Sequence, residues 1–441
     1  MHSMNGSDMW SREKLAGYDP EKLREGTVVV AGCGAAGNNI VFNLCLSGVR
    51  ELRLIDFDTV EPSNLTRSFF FKRERLAGGK TRHKAREVAL GALALSYADN
   101  PLVRYAVART ETLGLGALQG AKVVISAVDS FGSRAWLARA TRLLRIPFIE
   151  VGFTASQAHL SVYPNQAEDE VCWRCAHPDA DPEGISCTAY ARAVVEQGMS
   201  PATQAVAATV GALAAEACIQ ALHGEFPLGG KLLILDIRTG KSTTIKLTED
   251  PECASGHRSL VRIDDLDVSA DDPPRRVLEL AGAEMSSPIL HLPSPFVIEA
   301  PCIDCGARVS IMQPGYVVRE GPHCRQCPAS PPKQPAPMSV ASFVTADSRL
   351  ATTRLKRLGL GPSSIFDVED GVSGETRSFR LAGTTDDIYT TLRRKEGRAS
   401  DTAPDTASAA DATATGADAV DPETLMDEVL EVADEHHLPC F

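Results

Sequence analysis

TVVVAGCGAAG, residues 27–37, decides how the rest of the chain is read. Thr27 to Ala31 form an apolar, β-branched run, the mark of a buried strand. Gly32-Cys33-Gly34-Ala35-Ala36-Gly37 is a glycine-rich turn of the form G-x-G-x-x-G, and NNIVFNLCLSGV after it has a helical pattern. Working outward, ELRLID reads as a second strand, residues 83–97 as a helix and AKVVISAV as another buried strand. SRAWLARATRLLR is a further helix, followed by the strand IPFIEVG. Strands alternating with helices, with near-continuous apolar strands, predict a mostly parallel sheet covered on both faces.

That pattern is an α/β fold of the Rossmann-like, doubly wound kind. Its 441 residues allow two or three domains, and 44% hydrophobic residues suffice for a large core. The net charge of −12 is concentrated in residues 396–441, which hold twelve acids and one arginine. An acidic chain is a poor phosphate-backbone binder, so nucleic acid is not an expected partner. Membrane insertion is not expected either, because no apolar run reaches 18 residues. The first residues, MHSMNGSDMWSREK, lack a signal-like apolar stretch, so the expected compartment is the cytoplasm.

Residues 1–25 read as a helical lead-in and 26–258 as the α/β domain. PATQAVAATVGALAAEACIQAL, from Pro201, is a long small-residue helix, and KLLILDI is a late strand. Residues 259–395 carry more proline and short strand-like runs such as SPFVIEAP, GYVVRE, SIFDVEDG and SFRLAG, and predict a separate β-rich domain. The run 396–420 cannot bury a core and is expected to be disordered. Residues 421–441 place Leu425, Val429 and Val432 at helical spacing, predicting a terminal amphipathic helix.

In the glycine turn, Gly32, Gly34 and Gly37 allow backbone to approach phosphates at a helix N-terminus. Such a turn most often serves a nicotinamide or flavin enzyme, and Asp56 at the end of the second strand suits a ribose hydroxyl in any case. The continuation LIDFDTVEPSNLTRS is decisive, for it gathers Asp56, Asp58, Asn64 and Arg67 in one segment. Hydride transfer has no need of those groups there, whereas binding a triphosphate and stabilising its charge does. With WSREKL, GCGAAG, HKARE, SAVDS followed by Arg134, the CWRC pair and LLILDIRTGK, the chain resembles the ubiquitin-activating superfamily of adenylating enzymes, of the ThiF/MoeB/HesA type, over residues 8–257.

The resemblance implies ATP and Mg²⁺ as cofactors and assigns roles by motif. Asp56 is the ribose ligand, Asp58 a further nucleotide-binding residue, Asn64 and Arg67 fall on the phosphate side, and Lys84 is the phosphate lysine. The stretch GGKTRHKA is longer than the family's spacing, which leaves Lys80 and Arg82 as alternatives. Asp129 matches the magnesium-associated aspartate, and Arg12 the arginine that reaches across a homodimer interface.

Twelve cysteines include three C-x-x-C pairs, which point to metal or redox chemistry in an unsignalled protein. Cys172 and Cys175 stand where the family has the first half of a zinc site. The second half departs from the pattern: Cys253 and His257 would complete a Cys₃His set. Cys302/Cys305 and Cys324/Cys327 have zinc-ribbon spacing, C-x₂-C-x₁₈-C-x₂-C, so about two zinc ions per chain are expected. Cys187, in GISCTAY, matches the position at which some relatives form a thioester.

The expected function is therefore ATP-dependent adenylation of the C-terminal carboxylate of a ubiquitin-like or sulfur-carrier protein, with thioester transfer to Cys187 and a conjugating enzyme downstream. Sulfur-carrier activation without a thioester and a catalytically silent scaffold remain as alternatives.

Overall fold

A computed structural model describes residues 9–76, 79–178, 202–253, 257, 262–302, 305–315, 339–394 and 430–432. Two short helices, α1 (Ser11–Leu15) and α2 (Pro20–Arg24), lead into β1 (Thr27–Ala31) and α3 (Ala35–Leu46). Then come β2 (Glu51–Ile55), α4 (Arg73–Leu76), α5 (Lys84–Leu95), β3 (Leu102–Ala106) and α6 (Thr110–Leu113). β4 (Val123–Ser126), α7 (Phe131–Leu143), β5 (Phe148–Phe153), β6 (Gln157–Tyr163) and α8 (Trp173–Ala176) follow. α9 (Gln204–Leu222), β7 (Lys231–Asp236) and β8 (Ser242–Lys246) complete this half.

β1 sits centrally because both its faces are apolar. Val28 and Val30 join a core with Ile40 and Leu44 of α3, Val88 of α5 and Val210 of α9. Val29 and Ala31 point the other way, onto Leu137 and Ala140 of α7. Each valine withdrawn from water contributes about 1.5–3 kcal/mol. The order β3-β2-β1-β4-β5 is parallel, as the alternation predicts, and β6, β7 and β8 extend it antiparallel. Asp56, Asp58 and Asp129 follow the carboxyl ends of β2 and β4, where open α/β sheets form their ligand crevices.

α9 is capped by Thr203, whose hydroxyl accepts from Val206 N, rather than opened by Pro201, which lies outside the described residues. By length and composition it is apolar enough to cross a membrane, yet 56% of its apolar stretch is buried in the fold. Its small residues bring it onto α3: a Cβ on Gly211 would meet Asn39 Cβ at 2.5 Å.

The second sheet contains β9 (Ile263–Asp265), β10 (Pro288–Pro301), β11 (Arg308–Pro314), β12 (Ser339–Val344), β13 (Ile365–Asp370) and β14 (Thr376–Arg380). Its order is β11-β10-β13-β14-β9, with β12 also on β10. Helix α10 (Pro274–Ala281) contributes Val277 and Leu278 to a core of its own with Leu290, Phe296, Val368 and Phe379.

Two boundaries differ from the sequence reading. After β14 the chain leaves this core, passes through α11 (Thr385–Ile388), and adds β15 (Thr390–Arg394) antiparallel to β3. Ile388, Tyr389 and Leu392 are all under 5% exposed there, so their apolar surface draws the segment back to the first domain. The β-rich domain therefore ends before 395. Where a terminal helix is expected, β16 (Leu430–Val432) pairs antiparallel with β15. Alternating Leu-Glu-Val suits an open sheet edge, and pairing overrides helical spacing over those three residues. The linker 396–420 and the rest of 421–441 lie outside the described residues.

Candidate nucleotide and metal sites

The glycine turn is shaped by three different constraints. Gly32 has φ +91°, and a Cβ there would meet Ala127 O at 2.5 Å. A Cβ on Gly37 would fall 1.9 Å from Gly32 O, so α3 can begin this close to β1 only without one. Gly34 is the N-cap of α3 and has nothing within 4 Å of its missing side chain. Protein packing does not demand glycine there. The open space lies beside backbone N–H groups at a helix N-terminus, as an approaching phosphate requires. Fully buried Asn38 braces the turn, donating to Cys33 O at 2.8 Å and accepting from Phe70 N at 2.9 Å.

Asp56 closes on this turn from β2. One carboxylate oxygen accepts from Cys33 N at 2.6 Å and the other from Asp58 N at 2.8 Å. Each oxygen keeps a lone pair for a further donor, such as a sugar hydroxyl. Burial raises Asp56 above the ordinary carboxylate value, outweighing the Cys33 and Asp58 amides and the Lys84 charge. Burial also pushes the Cys33 thiol well up, reinforced by Asp56, so it stays a small neutral group.

Lys84 is the first residue of α5; its ammonium is 2.9 Å from Asp58 Oδ2, and its amide donates to Asp58 O at 2.9 Å. Burial acts to lower its pKa, but the Asp58 hydrogen bond and the charges of Asp56, Asp58 and Asp129 outweigh that and raise it. Of the three candidate cations, Lys84 is the one placed here. Arg82 donates to Arg75 O, and Lys80 is exposed. Asp129 is exposed in the loop after β4, within electrostatic reach of Lys84. That loop is held by Arg134, which donates to Val128 O at 2.6 Å and to Glu150 at 2.9 Å.

The structure therefore brings together Gly32, Gly34, Gly37, Asp56, Asp58, Lys84 and Asp129. Asn64 and Arg67 lie on a 3-10 turn, Pro62–Arg67, with local partners: Asn64 Oδ1 accepts from Glu61 N, and Arg67 donates to Ser63 O. Arg12 is exposed on α1, and Cys187 lies outside the described residues. Arg109, which no sequence motif singles out, places its guanidinium 4.0 Å from the centroid of the Phe57 ring, between Asp56 and Asp58.

Cys172, Cys175, Cys253 and His257 converge, their ligand atoms all within 4.8 Å of one another. Cys172 Sγ is 3.7 Å from Cys175 Sγ and 3.6 Å from Cys253 Sγ. A tetrahedral ion with Zn–S bonds of about 2.3 Å would set sulfur–sulfur edges of about 3.8 Å. His257 Nδ1 is 2.9 Å from Glu168 O, which leaves Nε2 with its lone pair 3.1 Å from Cys175 Sγ. His257 also takes φ +48°, a left-handed conformation costly for a side chain and characteristic of functional positions. Burial pushes the Cys175 thiol up to about 12, so without a metal this thiol keeps its proton and would release it on binding one. The donor set fits zinc.

At the other pair, Gly306 N donates to Cys302 O, and Cys302 N to Ala307 O, each at 2.8 Å. Cys324 and Cys327 lie outside the described residues.

Comparison with known proteins gives one family model, the ThiF family, which matches residues 11–255. The chain is similar to the sulfur carrier protein adenylyltransferase of Thermus thermophilus, 28% identical over 265 residues, covering 55% of this chain and 91% of that protein. It is also similar to the adenylyltransferase and sulfurtransferase MOCS3 of Caenorhabditis briggsae, 27% identical over 258 residues, covering 57% of this chain but only 61% of that protein. Among solved structures, E. coli MccB with MccA-N7isoASN aligns at a TM-score of 0.49 and 19% identity, over 58% of this chain and 76% of that one. Since the matched residues exceed half its length, the chain belongs to the ThiF family.

Proposed function

We propose that this protein is an ATP-dependent adenylyltransferase that activates the C-terminal carboxylate of a ubiquitin-like or sulfur-carrier protein. The observation carrying this reading is the open space at Gly34, next to Cys33, whose amide donates to Asp56, with Lys84 paired to Asp58 two residues further on. The α3 N-terminus receives the phosphates, and Asp56 takes the ribose hydroxyls on its free lone pairs. The carrier's carboxylate oxygen attacks the α-phosphorus, the bond to the β-phosphate oxygen breaks, and pyrophosphate leaves. Lys84, freed from Asp58 by the stronger phosphate charge, stabilises the departing oxygens, joined by Arg67 and by Arg12 of a second copy in a homodimer. Asp129, exposed beside Lys84, would hold Mg²⁺, which neutralises phosphate charge when bound.

The Cys172–Cys175–Cys253–His257 set would hold one zinc ion that ties the chain after β8 to α8. Cys302, Cys305, Cys324 and Cys327 would hold a second in the β-rich domain. The Cys187 thiolate then attacks the acyl carbon of the adenylate, AMP leaves as a thioester forms, and delivery to a conjugating enzyme completes the proposal.

ATP–pyrophosphate exchange in the presence of a purified carrier ending in Gly-Gly tests it. Exchange is expected with the intact carrier and not with one lacking its last residue. No ATP binding, and no exchange with any such carrier, refutes it. A reductant-sensitive adduct that survives Cys187→Ala would remove Cys187 as acceptor while leaving adenylation standing.

A further inference from the structure

Between β3 and β4 the chain forms α6 and a 3-10 turn, Leu115–Ala117. This stretch touches three parts of the protein. Arg109, before α6, stacks at 4.0 Å on Phe57, the residue between Asp56 and Asp58. Glu111 accepts from Ser133 Oγ at 2.5 Å, and Ser133 N donates to Ser130 Oγ, next to Asp129. Both contacts reach residues adjoining the candidate nucleotide ligands Asp56, Asp58 and Asp129.

The opposite side abuts the β-rich domain. A Cβ on Gly116 would lie 1.9 Å from Ser363 O, and one on Gly114 would lie 2.6 Å from Ser364 Oγ. Gly114, at φ +69°, faces the Ser364 hydroxyl, while Ser363, at φ +57°, brings its carbonyl against Gly116. The returning strand secures the end of the turn, where buried Tyr389 donates its hydroxyl to Ala117 O at 3.0 Å. A connector that needed only to join β3 to β4 has no reason to be glycine at both points of contact.

We propose that residues 109–117 couple the two domains: the Ser363–Ser364 loop, through this segment, sets the Phe57 wall of the nucleotide pocket, with Arg109 and Glu111 as positioning residues. The proposal rests on the ATP reading above. Because coupling between sites is reciprocal, a nucleotide that orders the Asp56–Asp58 segment also orders the Ser363–Ser364 loop.

The test is amide hydrogen exchange on the full chain, with and without saturating ATP and Mg²⁺, beside ATP affinity by calorimetry. In the unmodified protein ATP is expected to slow exchange at residues 361–366 several-fold. Arg109→Ala should still saturate, at an ATP concentration about tenfold higher, but lose the slowing at 361–366; Arg109→Lys, which keeps a cation over the ring, should restore part of it. Gly116→Ala should weaken ATP without changing the rate at saturation. If that variant does not fold, the exchange result on unmodified protein decides. ATP binding with unchanged exchange at 361–366 overturns the coupling alone, whereas absence of ATP binding overturns the adenylating function and the coupling with it.

Discussion

Gly34→Ala separates a site built for a ligand from a turn built for packing. Gly34 has φ −76°, and no protein atom lies within 4 Å of the point a Cβ would occupy, so alanine fits the folded chain without strain. Two small effects on stability oppose each other. Losing a glycine N-cap costs a few tenths to about 1 kcal/mol, and restricting the unfolded chain returns about 0.4–1 kcal/mol. Net stability should stay within about 1 kcal/mol of the parent. The nucleotide meets a different surface, because the new methyl stands where a phosphate must come within hydrogen-bond distance of backbone N–H. Losing one charge-assisted bond of about 1.5–3 kcal/mol weakens ATP by roughly 10- to 150-fold at 1.36 kcal/mol per decade. Thermal unfolding by circular dichroism and ATP titration calorimetry read the two quantities separately. Gly37→Ala is the contrast: its Cβ would sit 1.9 Å from Gly32 O, so it should lose fold and binding together. Wild-type ATP affinity in folded Gly34→Ala would refute the placement of phosphates at the α3 N-terminus.

Three further outcomes are expected. Lys84→Ala removes the cation 2.9 Å from Asp58, so pyrophosphate exchange should fall about 10²–10³-fold with the circular dichroism spectrum retained; exchange within threefold of the parent would exclude Lys84 from the reaction. Cys253→Ala breaks the Cys₃His set, and because structural zinc in finger peptides contributes about 10–16 kcal/mol, the variant should lose one zinc by elemental analysis and unfold several kcal/mol more easily; unchanged metal content would refute the site. Since burial raises Asp56, the folded state takes up its proton above the ordinary carboxylate range, so this group's ionisation opposes folding at neutral pH and acidification through the raised value relieves it. The ribose needs the ionised acceptor, so ATP affinity should decline over that same interval, and calorimetry showing affinity level down to the ordinary value would contradict the role.

Much of the nucleotide half was legible because its signals are local. The TVVVAG run, the glycine spacing and the acids after ELRLID are fixed by backbone sterics and by the reach of one turn, which a single stretch of sequence records. The Cys253–His257 departure was also legible as chemistry, since imidazole replaces thiolate on zinc, and the structure places His257 Nε2 beside Cys175. What escaped were relations between distant stretches. Nothing in TTLRR announces that Leu392 will leave the β-rich core and pair with Val103 of β3. Nothing near Gly114 announces Ser364, 250 positions away, as the atom that forbids a side chain there.

The same difference explains why the helix expected at 421–441 did not survive over Leu430–Val432. Helical spacing of Leu425, Val429 and Val432 describes one way to bury an apolar stripe, and it presumes a groove to receive it. β15 offers instead an unpaired edge, created only once Thr390–Arg394 has docked on β3. Hydrogen bonding along that edge satisfies the backbone of both segments at once, and a period-two reading of Leu430-Glu431-Val432 then fits as well as the period-3.6 reading of the longer stretch. The sequence was ambiguous between the two periods. An element more than 30 residues upstream selects between them.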